Sequence, residues 1–157
     1  MAIGRDEVIP SLLAAAPGFQ AAWQEYLKSW DREDRGIYTD AGEFAHYVVR
    51  SYADGNTAEF NAIFTTLETI LREGDDTARD AATIGVLEDI QTIASNRPFG
   101  AAAFEGWLGP LSRQAWEEID RLWRAGGGSL AGVIRLESRL RSKGARPWWR
   151  FWNRDSV

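Results

Sequence analysis

The apolar pattern predicts an all-α protein: a single-domain bundle of seven or eight helices with a central αα-hairpin, the hairpin having the length of one HEAT-like unit. Three observations carry that prediction. Apolar side chains recur at three- and four-residue steps almost throughout the 157 residues, the spacing of one helix face. Runs of β-branched residues alternating with polar ones between hairpin turns, the mark of strands, do not occur. The interruptions are those that end helices: Pro17, Gly36, "ADGN", "EGDD", "NRPFG" and "GGGS".

The elements follow in order. Residues 5–15 read as a short helix stopped by Pro17. A second spans about 18–31, where Phe19, Trp23, Tyr26, Leu27 and Trp30 form one stripe. "DREDRGIY" breaks the pattern, with Gly36 as the turn. A third helix covers about 40–53 with Phe44, Val48 and Tyr52 inward. Thr39 or Asp40 is placed to cap it, and Asp40 with Glu43 has capping-box spacing. Gly55 suits the left-handed position after its end.

The fourth helix, about 57–73, has the clearest stripe: Phe60, Ile63, Phe64, Leu67, Ile70 and Leu71. Asn56 and Glu59 have N-cap and N3 spacing. "EGDD" makes a tight turn, and Asp75 or Asp76 caps a fifth helix over about 76–95. Together these two form the hairpin. Pro98 bars its continuation, and the Gly-rich "FEGWLGP" crosses to a helix over about 111–125, which Pro110 opens. Leu111, Ala115, Trp116, Ile119, Leu122 and Trp123 form its face. After the "GGGS" joint, a last helix over about 129–142 has Leu130, Val133 or Ile134, Leu136 or Glu137, and Leu140 on one side. Arg135, Arg139, Arg141 and Lys143 lie on the other. The expected organisation is a helical domain over 1–125, then a Gly hinge, basic helix and Trp/Arg-rich tail over 126–157 packed on the same domain.

Composition narrows function. At 45% apolar and 26% charged the chain is ordinary for a globular protein, and its length supports a core without staples. The absence of cysteine removes disulfides, thiolate metal sites and thiol nucleophiles. The N-terminal stretch has Asp6 and Glu7 where a secretory signal needs basic residues, and two prolines break its apolar run. No uncharged stretch approaches the roughly 20 residues of a membrane span. A cytoplasmic protein is expected.

The net charge of −5 is unevenly spread. Residues 1–134 hold 11 Lys/Arg and 21 Asp/Glu, a net −10, whereas residues 135–157 hold 7 and 2, a net +5. An acidic body repels nucleic acid and attracts a basic protein.

Catalytic signatures are missing. "GGGS" lacks the GK[ST] ending of a phosphate loop, and no G-x-S-x-G elbow occurs. His46 is the sole histidine. Its i, i+3 spacing from Glu43 is that of di-iron helical bundles, but those need a second Glu-x-x-His. With 23 acidic residues many carboxylate pairs are available, so such pairs single out no glycosidase-like site. The chain reads as a non-enzyme with no metal and no cofactor. Glu43, His46 and Tyr47 on the third helix, with Glu88, Asp89 and Gln91 on the fifth, are the candidate partner-binding residues. The last three mark either a plain solvent face or a polar patch presented to a partner.

Three stretches, "EFAHYVVRSYADGNTAEFNAIFTTLETILREGDD", "GVLEDIQTIASNRPFG" and "FEGWLGPLSRQAWEEIDRLW", resemble a family of short bacterial helical proteins, a domain of unknown function. The likeness covers about residues 8–124 and implies no reaction. In size and style the chain also resembles the small immunity proteins that accompany bacterial polymorphic toxins. The segment from "GGGS" onward lies outside the resemblance.

That segment closes on "RPWWRFW". Trp148, Trp149, Arg150 and Trp152 suit a membrane interface, where tryptophan sits among headgroups and arginine meets anionic lipid. They equally suit a clasp folded onto the acidic body or a protein interface, since each buried aromatic removes roughly 150–250 Å² from water. The expected function is therefore a non-catalytic bacterial protein-binding module, most concretely an immunity or antitoxin-type protein that occludes a basic toxin. The alternative is a peripheral membrane or scaffold protein held by this tail.

Overall fold

A computed structural model describes residues 2–30 and 36–124. Helix α1 (Arg5–Ala15) starts where Gly4 leaves an extended backbone. The Glu7 carboxylate accepts the Gly4 N–H at 2.7 Å, and the Glu7 N–H donates to the Gly4 carbonyl at 3.0 Å. Two donors at the helix start are thereby satisfied reciprocally. Ahead of it, Ile3 exchanges backbone hydrogen bonds with Glu73 and Asp75, at 2.9 and 2.8 Å, and ties the first residues to a distant turn.

Pro17 ends α1 as expected. It also opens a 3-10 turn (Pro17–Phe19) that runs into α2 (Gln20–Lys28). Helix α2 stops three residues short of the expected end, where the Ser29 N–H and hydroxyl both close on the Tyr26 carbonyl.

Helix α3 (Ile37–Ala53) begins three residues before the expected start, with Gly36 at its N-cap. Asp40 is therefore inside the helix. It is 7% exposed and accepts the Tyr26 hydroxyl at 2.9 Å, so the Asp40–Glu43 capping box does not form. Gly55 adopts φ +73°, the left-handed conformation its position requires.

Helix α4 (Phe60–Glu73) buries the stripe read from its sequence: Phe60, Ile63, Phe64, Leu67 and Ile70. Asn56 does not cap it, because residues 57–59 form a turn first, with Phe60 N–H on the Thr57 carbonyl.

The turn after α4 leads to a long rod in three parts: α5 (Asp76–Asp80), a π-helical stretch (Ala81–Glu88) and α6 (Asp89–Ser95). The Asp75 side chain caps α5 through the Ala78 N–H at 2.8 Å, as its spacing predicted. All eight residues of the π stretch are buried. A π-helix is rare and commonly only one turn long. This one packs most extensively against α3, so the second limb of the hairpin faces α3 more than α4. The two helices cross closely: a Cβ on Gly85 would stand 2.5 Å from that of Ala41.

A turn with Gly100 at φ +71° leads to a 3-10 helix (Ala101–Trp107), then to α7 (Pro110–Arg124). Proline at the first position of α7 matches the expectation. The bundle of residues 1–118 is all-α. Among the described residues the only bridge of β type is the isolated one between Ile3 and Gly74.

Two aromatic groups fill much of this interior. One gathers Phe60, Phe64, Phe104, Trp107, Phe99 and Tyr52 around the 3-10 helix. The other joins Phe19, Phe44 and Tyr47, with Trp23 and Tyr26 alongside. Edge-to-face pairs such as Phe19–Phe44 (5.0 Å, 82°) suit the quadrupoles of the rings.

Candidate functional site

Helices α1, α2 and α3 converge on a cleft of about 340 Å³. Helix α1 supplies one wall from residues at i, i+4, i+8 spacing, Arg5, Ile9 and Leu13, with Asp6 and Pro10 beside them. Trp23 of α2 and Ile37 and Asp40 of α3 complete it. Arg5, Asp6 and Pro10 are exposed and Ile9, Trp23, Ile37 and Asp40 are buried, so charge lies at the rim and again at the floor.

The floor is held by stacked aromatics and a buried hydrogen bond. Trp23 stacks on Tyr26 with ring centres 5.3 Å apart and planes inclined 30°. The Tyr26 hydroxyl donates to Asp40 Oδ1. Trp30 continues the line 6.0 Å beyond Tyr26 and is 36% exposed. The stripe read from Phe19 to Trp30 therefore reaches solvent at its end.

The residues singled out in the sequence fall elsewhere. On α3, Glu43 and Tyr47 are half-buried and His46 is exposed. The Tyr47 hydroxyl donates to Glu59, which also accepts the Gly18 N–H at 2.9 Å. Burial first, and then the Glu59 carboxylate, push the Tyr47 phenol up to about 12. Tyr47 is thus part of a brace between α3, the turn before α4 and the start of the 3-10 turn at Pro17.

Glu88 and Gln91 are 4% and 6% exposed, so they mark neither a solvent face nor a patch offered to a partner. Gln91 instead donates its amide to the Trp116 carbonyl at 3.0 Å, joining α6 to α7. Asp89 is half-buried against Gly42, and burial pushes its carboxyl up to about 6. Helices α3 and α6 therefore cross at Gly42 and Asp89. Trp148, Trp149, Arg150 and Trp152, like the whole 126–157 segment, lie outside the described residues.

Two glutamates on or beside α4 prove structural. Glu59 holds Gly18 as described. Glu68 accepts the N–H groups of Leu111 at 2.6 Å and Ser112 at 2.9 Å, capping α7 from another helix. Sequence spacing cannot reveal such caps, because the partners are 41 to 44 residues apart. No group of three or more His, Cys, Asp or Glu is placed to hold a metal ion among the described residues. No helix among them is long and apolar enough to cross a membrane.

Fold and cleft together define a small all-helical domain with an acidic exterior and an amphipathic surface recess. The chain belongs to the family described as a domain of unknown function, DUF7674, whose match covers residues 9–124. That span takes in α1 from Ile9 through the end of α7. No curated protein and no solved structure matches it.

Proposed function

We propose that this chain is a non-catalytic protein-binding module of the bacterial cytoplasm, most concretely an immunity or antitoxin-type protein that occludes a basic partner. The observation that supports this reading is the net charge of −10 over residues 1–134. Asp6, Glu7, Asp54, Glu73, Asp75, Glu105 and Glu117 are exposed and spread over several elements. Other acids are occupied internally: Glu59 and Glu68 hold helix starts, and Asp40 accepts Tyr26. A surface of one sign speeds encounter with a partner of the opposite sign.

The test is capture from source-cell lysate at low and high salt, followed by an inhibition assay on the captured protein. A basic protein held at low salt, released at high salt and inhibited one-to-one is the expected result. Capture of no basic protein, or of one whose activity is unchanged, overturns the reading. Charge reversal at the exposed Asp54, Glu105 and Glu117 should slow association with little change in the dissociation rate.

A further inference from the structure

We infer that Trp123 and residues 126–157 hold this protein at an anionic lipid surface, lying on the bilayer and not through it. A lipid surface is a different ligand from the basic partner of the acidic residues, and a different part of the chain meets it. Residues 126–157 lie outside the described residues, and their chemistry is read from their sequence.

Three observations point to lipid. The first is where the apolar line of α7 leads. Trp116 and Ile119 are 4% and 0% exposed, but Trp123, one helical turn further on, is 42% exposed. A large ring is thus left in water just where the family match ends, at residue 124. The second is the pattern that follows. Leu130, Val133, Ile134, Leu136 and Leu140 recur at helical steps, while Arg135, Arg139 and Lys143 fall opposite. Basic residues on one face and aliphatic ones on the other suit a helix lying in a membrane interface. The third is "RPWWRFW". Trp148, Trp149 and Trp152 favour the headgroup level, and Arg146 and Arg150 among them attract anionic headgroups.

The same residues weigh against other ligands. Residues 135–157 carry 7 Lys/Arg against 2 Asp/Glu, a balance that single-stranded nucleic acid would also attract. Nucleic acid has no use for the aliphatic line, whereas lipid takes both the charges and the apolar side chains. Charges interrupt every apolar run, so none reaches the roughly 20 residues that a span needs. Attachment to the surface is the mode that remains.

Flotation of the full chain tests this, with vesicles of phosphatidylcholine alone and of phosphatidylcholine mixed with phosphatidylglycerol, at low and high salt. Brominated acyl chains in the vesicles quench any tryptophan that inserts. The expected result is binding to the anionic vesicles at low salt, about tenfold weaker at high salt, with tryptophan quenched. Trp148→Ala, Trp149→Ala and Trp152→Ala together should weaken binding about tenfold or more and remove most of the quenching. Trp123→Ala should weaken it about threefold, since one ring of several is lost. Arg135→Gln, Arg139→Gln and Lys143→Gln together keep every apolar residue and should reduce binding to near that of phosphatidylcholine alone. This last variant decides the matter if the tryptophan variant does not fold. No flotation at low salt, flotation without quenching, or undiminished binding by these variants overturns the inference. Complete displacement of the vesicles by oligouridylate also overturns it, and makes nucleic acid the ligand. No protein partner is present in this assay, so its result leaves the capture experiment unaffected.

Discussion

The carboxylate of Asp89 lies against the backbone of Gly42, so close that a Cβ there would stand 2.8 Å from Oδ2. A side chain at this crossing of α3 and α6 would have to displace the end of the acid. Gly42→Ala should change stability by less than about 1 kcal/mol at pH 7, the gain of alanine in a helix offsetting the displacement of the acid, read as a near-constant denaturant midpoint. It should also push Asp89 toward water and lower its carboxyl below its present value of about 6, read by carbon-detected titration of that side chain.

The same burial makes stability depend on pH. The folded carboxyl of Asp89 is raised from 3.8 to about 6, so the folded state holds its proton longer than the unfolded chain. Stability from this group is complete below about pH 4 and is lost as pH rises through 6. The carboxylate is only half-buried, and solvent screening reduces the penalty above pH 6 to about 1–2 kcal/mol. Asp89→Asn should remove that penalty. The variant is expected to unfold at higher denaturant than the parent at pH 8, with the gap closing near pH 4.

Tyr47 gives a second pH effect at the other end of the scale. Its phenol, pushed up to about 12 by burial and then by Glu59, exceeds the unfolded value of about 10. Its contribution is therefore constant below pH 10 and is lost as pH rises toward 12. Tyr47→Phe should lower stability at neutral pH by about 1 kcal/mol, the net worth of one hydrogen bond. It should also flatten the alkaline loss between pH 10 and 12, measured by denaturant melts across that range.

Glu68 is expected to matter more than its half-buried position suggests. Glu68→Ala removes two charge-assisted hydrogen bonds from the start of α7 and should cost about 2–3 kcal/mol. Hydrogen exchange should quicken selectively at the Leu111 and Ser112 amides. Glu68→Gln, which retains an acceptor, should show about half that loss.

At the crossing of α3 with the π stretch, Gly85→Ala brings two methyl groups within 2.5 Å and should cost about 1–3 kcal/mol. Adding Ala41→Gly removes the clash. The double variant should recover part of that loss, less about 1 kcal/mol for glycine in a helix, a coupling that a thermal double-mutant cycle reads directly.

These sites mark what was legible in the sequence. The α4 stripe was, because Phe60, Ile63, Phe64, Leu67 and Ile70 face one core and local period reports a single buried face. The π stretch was not, because AATIGVLE is buried all round and leaves no polar face from which to read a period. Glu88 and Gln91 followed it into the interior, where Gln91 finds a backbone carbonyl on α7. Asp40 and Glu59 had cap spacing, but partners from other helices, Tyr26, Tyr47 and Gly18, took them first. The cleft needs three helices to converge, which no stretch of sequence spells out. Asp40, half of a capping box by spacing, lies at its floor.

The cap that Glu68 places on α7 sets the shortest piece of this chain worth expressing. A fragment that stops before Pro110 would leave that carboxylate with no amides to receive, and would strip Gln91 of the Trp116 carbonyl. Dissection of the protein by truncation should therefore keep α7 whole.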